Sequence, residues 1–271
     1  MRKPVISIIL VAILITVSLS GCLRGGVVTG SGNLVTEEMN FSDFTRVEAG
    51  YAFEVEITQS GSYSISITAD DNLFDFIQVS KTGETLKIRL QSGYDYQSVT
   101  TRAKITTPEL RGLGLSGATQ GTVIGFSSTE DFKLDLSEAS SLDMSDMSAG
   151  DIKFGLSGAS SVTGVITASG NAQFNLSGAS AAELKGSAND MLIDASGASH
   201  LELADFPVRN ADVSLSGSSG STINLDGRLG ADLSGASYLR YIGEPTMGSI
   251  ETSGGSVVVK VEPPPRKTSG G

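Results

Sequence analysis

Leu134-Asp135-Leu136-Ser137-Glu138-Ala139-Ser140, Phe154-Gly155-Leu156-Ser157-Gly158-Ala159-Ser160 and Phe174-Asn175-Leu176-Ser177-Gly178-Ala179-Ser180 repeat one seven-residue phrase at intervals of 20 residues. Its last four residues recur eight times, starting at Ser116, Ser137, Ser157, Ser177, Ser196, Ser216, Ser234 and Ser253, with spacings of 21, 20, 20, 19, 20, 18 and 19. A period this steady is the mark of a stacked repeat, in which each unit is too small to bury its own apolar row.

The residues around the phrase show which side faces in. One position before the first serine stand Leu115, Leu136, Leu156, Leu176, Ala195, Leu215, Leu233 and Thr252. Three positions before it stand Leu113, Leu134, Phe154, Phe174, Ile193, Val213, Ala231 and Ile250. Small or polar residues fill the position between. This alternation of two is that of a strand with one buried face. It resumes after the serines, through Leu142, Val162, Ala182, Leu201 and Leu239 and, two positions on, Met144, Leu184, Leu203, Ile223 and Tyr241. Each repeat therefore holds at least two strands with a corner at Ser-Gly-Ala-Ser. Glycine there permits backbone angles closed to other residues, and the serines can bond the backbone groups that a bend leaves free. Stacked roughly 4.8 Å apart, eight coils span roughly 40 Å. The expected fold is all-β, a parallel β-helix (β-solenoid) of roughly 20-residue coils. Its rival, an antiparallel sandwich, has no need of the same corner every 20 residues.

Upstream, residues 31–110 alternate without the corner phrase, as in Ala52 to Ile57, Tyr63 to Ile67 and Thr85 to Leu90. They read as an N-terminal β-rich region that covers one open end of the stack, since an uncovered end coil presents free strand edges. One short helix is expected within 72–79. Pro263-Pro264-Pro265 should stop strand pairing at the other end.

The first 21 residues have a different character. Arg2 and Lys3 precede an uncharged apolar stretch from Val5 to Leu19, which ends in Leu19-Ser20-Gly21-Cys22. The stretch is short for a transmembrane helix and has the form of a secretory signal. The four residues resemble the bacterial lipobox, which implies cleavage before Cys22 and lipidation of its thiol. Cys22 is the only cysteine, so neither an internal disulfide nor a thiolate metal site is available. The chain accordingly divides into a signal peptide (1–21), a lipidated tether (22–30), a β-helical domain (31–262, with repeat coils over 111–262) and a flexible tail (263–271). The expected location is the cell envelope, lipid-anchored at the outer membrane or the outer face of the plasma membrane.

The net charge is −11 and falls to about −13 once Arg2 and Lys3 leave with the signal. Such a surface repels nucleic acid. Aromatic residues are only 6% of the chain and Trp is absent, which argues against a conventional enzyme core. The one histidine, His200, follows a corner serine, and no nucleophile-elbow pattern surrounds any serine. Asp135, Asp194, Asp232 and Glu251 share one outward register, but so spaced they cannot supply the six to eight oxygens of a calcium site. No catalytic residue, metal or cofactor is expected. Candidate contacts are tyrosines, which offer rigid area with a polar tip: Tyr51, Tyr63, Tyr238, Tyr241 and, first among them in a turn-rich stretch, Tyr94 and Tyr96.

The body from about residue 30 to 262 also resembles the auto-transporter adhesin head domain family, the GIN domain. The likeness lies in Gly30-Ser31-Gly32-Asn33, Phe41-Ser42-Asp43-Phe44 leading into Val47-Glu48-Ala49-Gly50, Thr107-Pro108-Glu109-Leu110, and the recurring Leu-Ser-Gly-Ala-Ser. The resemblance implies a right-handed β-helix, a secreted or lipid-anchored setting and a role in adhesion, with no catalytic residues to carry over. The function expected is that of a non-catalytic envelope lipoprotein that binds a glycan or protein ligand. The alternatives are an envelope scaffold and an extracellular carbohydrate-active enzyme.

Overall fold

The computed structural model describes residues 25–263. Apart from one 3-10 turn at Asp71–Leu73, every regular element there is a strand. The strands form two facing sheets and one small pair. Sheet I runs, in spatial order, Ile77–Thr82, Thr85–Leu90, Arg46–Gly50, Gly112–Leu115, Phe132–Leu136, Ile152–Leu156, Ala172–Leu176, Asp190–Ala195, Asn210–Leu215, Arg228–Leu233 and Thr246–Thr252. Sheet II runs Leu34–Glu38, Ser64–Asp70, Thr101–Thr107, Glu54–Gln59, Gln120–Ile124, Ser141–Ala149, Ser161–Ala168, Ala181–Ser187, His200–Val208, Gly220–Leu225, Tyr238–Ile242 and Val257–Lys260. The fold is a parallel β-solenoid, and each of the eight corner phrases joins a strand of sheet I to the next of sheet II.

Register explains the core. Leu134, Phe154, Phe174, Ile193, Val213 and Ala231 lie rung on rung in sheet I. All are buried. Three of the phenylalanine contacts are edge-to-face: Phe132 on Phe154 at 6.2 Å, Phe154 on Phe174 at 5.5 Å, and Phe174 on Phe206 of sheet II at 6.2 Å. That is the favoured geometry for ring quadrupoles. In sheet II the leucine column Leu142–Val162–Ala182–Leu201 meets Ser221, a fully buried hydroxyl without a hydrogen-bond partner.

In six of the eight phrases the last serine turns inward. Ser140, Ser160, Ser180, Ser199, Ser219 and Ser237 are buried, and each Oγ donates to the carbonyl of the phrase's first serine at 2.6–2.9 Å. The glycine of the phrase adopts a positive φ, from 63° at Gly117 to 77° at Gly197. The next residue's N–H bonds back to the coil below, as Ala179 does to the Gly158 carbonyl at 2.7 Å. The corner therefore continues the ladder.

A second ladder occupies the opposite bend. Asp131 accepts from the Asp151 N–H, Asp151 from Asn171 and Asn171 from Asp190, at 2.9, 2.7 and 3.3 Å. Asn210 continues the row by accepting from the Arg228 N–H at 2.9 Å. These carboxylates and amides replace the backbone partners that the bend removes.

At the N-terminal end the chain does not stack in sequence order. Arg46–Gly50 and Glu54–Gln59 form one coil, and Thr85–Leu90 with Thr101–Thr107 then form the coil outside it. The chain passes back, and Gly112–Leu115 and Gln120–Ile124 pair on the other side of the first coil. Antiparallel strands close this end: Ile77–Thr82 on sheet I, and Ser64–Asp70 then Leu34–Glu38 on sheet II. The expected N-terminal cap is thus present.

Two local expectations need correction. The helix expected within 72–79 is a single 3-10 turn followed by the strand Ile77–Thr82, because Ile77 and Val79 alternate toward the core and a tight turn at Gly83 (φ 57°) folds the strand onto Thr85–Leu90. The tether expected over 22–30 is bound to the body from Val27, which pairs with Asp95. Buried Asp70 fixes the following residues by accepting from the N–H groups of Gly32 at 2.6 Å and Thr100 at 2.8 Å.

At the far end, Thr246–Thr252 and Val257–Lys260 are the last strands of their sheets, with Met247, Val257 and Val259 exposed. Pairing ends at Lys260, and Pro263 is the last described residue.

Candidate functional site

Leu19, Ser20, Gly21 and Cys22, expected to form a lipobox, lie outside the described residues. Tyr94 and Tyr96, expected as exposed contacts, are half-buried in an aromatic cluster: Phe76 meets Tyr94 at 4.9 Å and Tyr96 at 6.1 Å. The Tyr96 hydroxyl donates to the Gln91 carbonyl at 2.7 Å, and burial raises its phenol above the ordinary value. Tyr63 packs on Phe44 at 5.0 Å. His200 starts a strand of sheet II. Its Nδ1 lies 3.1 Å from the Tyr238 hydroxyl, whose ring crosses Gly220 where any side chain would clash, and Arg240 sits 4.9 Å from that ring. The acidic column is real but uneven. Asp232 and Glu251 are on adjacent rungs, whereas Gly155 and Asn175 separate Asp135 from Asp194. Among the described residues no group of three or more His, Cys, Asp or Glu is placed to hold a metal ion.

Of the six tyrosines only Tyr51 is exposed, at 45%. It stands where seven of the eight repeat coils carry the corner glycine, with φ 63°, and Ala52 beside it has φ 62°. The left-handed region costs an ordinary residue about 1–2 kcal/mol. Tyr51 borders a trough on the outer face of sheet I with a volume of about 460 Å³.

Register defines that trough. Across four neighbouring strands lie three outward columns: Thr85, Arg46, Gly112 and Lys133; Lys87, Glu48, Gly114 and Asp135; and Arg89, Gly50, Ser116 and Ser137. Gly50, Gly112 and Gly114 make the floor, and neighbouring side chains fold over the space their missing side chains leave: the Ser116 hydroxyl stands 2.8 Å from where a Cβ of Gly50 would be. The Arg46 guanidinium lies across Gly112, 3.5 Å from where a Cβ would stand, and the Glu48 stem lies across Gly114 at 3.3 Å. Two ion pairs border the floor, Lys87 with Glu48 at 2.8 Å and Lys133 with Asp135 at 2.7 Å. Four cations thus face two carboxylates, the unmatched pair being Arg46 and Arg89. The sequence signal for this site is the alternation Gly112-Leu113-Gly114-Leu115, in which every outward position of one strand is bare.

A family model described as "Putative auto-transporter adhesin, head GIN domain" matches residues 43–245. The chain belongs to this family. Solved structures with the same fold as this GIN domain include a protein from Parabacteroides merdae described as a putative adhesin, at 18% identity over 86% of this chain and 98% of that one, with TM-score 0.81. A putative adhesin from Parabacteroides distasonis aligns at 16% identity over 88% of this chain and 100% of its own, with TM-score 0.80. A third, from the same species and described as a putative lipid binding protein, aligns at 20% identity over 86% and 99%, with TM-score 0.74. No curated protein matches this chain. The family and these neighbours are described as adhesins or binding proteins, and no helix among the described residues is long and apolar enough to cross a membrane.

Proposed function

We propose that this GIN domain is a non-catalytic binding module, exported and held at the cell envelope by lipid on Cys22. The observation that carries the binding reading is the outer face of sheet I, where register stacks polar and charged side chains in columns, with glycines at Gly50, Gly112 and Gly114 leaving room for Ser116, Arg46 and Glu48 to lie across the sheet. Binding needs such a rigid array and nothing more. Catalysis would need a nucleophile or general base in reach of a reacting atom. The anchor rests on Leu19-Ser20-Gly21-Cys22 after an uncharged apolar run. More than one acyl chain gives stable attachment where a single chain is marginal.

Expression of the wild type and of Cys22→Ala in the producing bacterium, followed by membrane fractionation, tests the anchor. The variant should move to the soluble or secreted fraction; full membrane retention rejects the lipid. Binding of the purified Cys22→Ala chain to whole cells and immobilised glycans tests the module, and absence of binding to any surface rejects it.

A second reading, a scaffold that assembles with other envelope proteins, is favoured by the far end of the stack. There Met247, Val257 and Val259 are exposed on the last strands of both sheets. Free strand edges are templates for pairing.

A further inference from the structure

We infer that the glycine-floored trough around Gly112 and Gly114 binds a short acidic saccharide, with Tyr51 against a sugar ring and Arg46 and Arg89 on its carboxylates. This names a ligand class and a site for the binding module proposed above, and it rests on that reading.

Charge is the first argument. Among the described residues, nine of the fourteen Lys and Arg side chains lie within 4.0 Å of a carboxylate. Arg46 and Arg89 do not, although the chain has a net charge of −11. Both line the same trough. Arg89 donates only to the Gln78 amide oxygen, at 3.1 Å. A guanidinium is a planar fork that matches a carboxylate with two parallel hydrogen bonds. At physiological ionic strength charges beyond about 8 Å are largely screened. The local excess of cations therefore outweighs the distant acidic surface for a small anion, while a long polyanion leaving the trough would meet repulsion.

Shape is the second. Arg89 is the rung partner of Gly50, next to Tyr51, and Arg46 lies four residues back along the same strand. The cations are therefore separated by roughly 13 Å of strand at 3.3 Å per residue, which suits a short oligomer better than one small ion. Between them Glu48 and Asp135, each held by a lysine, present oxygens able to accept from sugar hydroxyls.

Tyr51 is the third. An exposed aromatic in the left-handed region is costly where every repeat coil but one uses glycine. Strain retained at an exposed ring beside a polar trough is of the kind kept for contact with a ligand. Stacking on the apolar face of a sugar ring supplies that use.

The test uses the full chain carrying Cys22→Ala. Titration calorimetry is run with short oligomers of galacturonate, mannuronate and guluronate, with their methyl esters, and with sodium sulfate. At least one acidic oligomer should bind, and its ester should bind at least tenfold more weakly. Arg46→Gln and Tyr51→Gly should each lower affinity at least tenfold. Tyr51→Gly should also leave the melting temperature unchanged or higher, which separates a contact role from a structural one. The inference is overturned if no acidic oligomer binds, if ester and acid bind alike, if sulfate competes as strongly as the oligomer, or if both variants bind as the wild type does. In the last case, and whenever neutral glycans or whole cells are still bound, the binding module survives and only this site is wrong. Loss of all surface binding rejects both.

Discussion

Gly178 has φ 75°, and a Cβ built on it would stand 2.5 Å from the Gly158 carbonyl oxygen one coil below. Gly158, Gly197, Gly217, Gly235 and Gly254 meet the same obstacle at 2.4–2.6 Å. The corner glycine therefore answers two demands, a left-handed backbone and a contact too close for any side chain. Gly178→Ala should lower stability by at least about 2 kcal/mol, from the left-handed cost plus the clash. Among the eight repeat corners the exception is Glu138, which holds φ 63° in the same place. Glu138→Gly should raise stability, by up to about 1 kcal/mol, the glycine's extra chain entropy offsetting part of the gain. Urea unfolding midpoints check both signs, and a neutral Gly178→Ala would refute this account of the corner. At this scale the sequence announces its glycines and serines, since they recur. It does not say whether a given tyrosine faces in or out. Tyr94 and Tyr96 turn toward Phe76, held there by the pairing of Asp95 and Tyr96 with Val27 and Val28 and by the Tyr96 hydroxyl on the Gln91 carbonyl.

The second bend shows how one element supports the next. Asp131, Asp151, Asn171, Asp190 and Asn210 each stand six residues before a corner serine, so their row was present in the same alignment that revealed the serines. What it does could not be read there, because an Asp or Asn in a bend can cap its own turn or the neighbouring rung. Register decides for the neighbour. Asp190 does more than its equivalents. It accepts from Arg209 Nε and Nη2 at 3.2 Å each and from Asn210 at 2.9 Å, and the Arg209 hydrogen bonds chiefly hold its carboxyl below the ordinary value. A carboxyl depressed in the folded state stabilises above its unfolded pKa of about 3.9, and the effect is lost as pH falls through the lower folded value. Wild type should therefore exceed Asp190→Asn in unfolding midpoint at about pH 7, and the gap should close toward about pH 3. A gap of constant size over that range would mean that packing, not charge, explains it.

Across the whole molecule, coils touch only their neighbours, so stability is a sum of nearest-neighbour terms and the ends are weakest. The N-terminal end is closed by antiparallel strands, whereas Met247, Val257 and Val259 are exposed at the other. Amide exchange followed by mass spectrometry should find Ala172–Leu176 and Ala181–Ser187 slowest, and Thr246–Thr252 and Val257–Lys260 fastest among the sheet strands. Uniform protection would mean that the stack opens as one unit. The solenoid, its period and its corners follow from the sequence by itself, because each coil repeats the same local alternation and an inward row must find an identical row beside it. The family was legible as a resemblance in motifs of adjacent residues, Phe41-Ser42-Asp43-Phe44 and the recurring Leu-Ser-Gly-Ala-Ser among them. The trough is different. Tyr51, Arg89 and Gly112 are far apart in the chain and meet only because the coil of Arg46–Gly50 is flanked by strands that come later, Thr85–Leu90 on one side and Gly112–Leu115 on the other. No local pattern records that order; it is set by which sheet edges remain free when the cap folds, and that is a property of the tertiary structure.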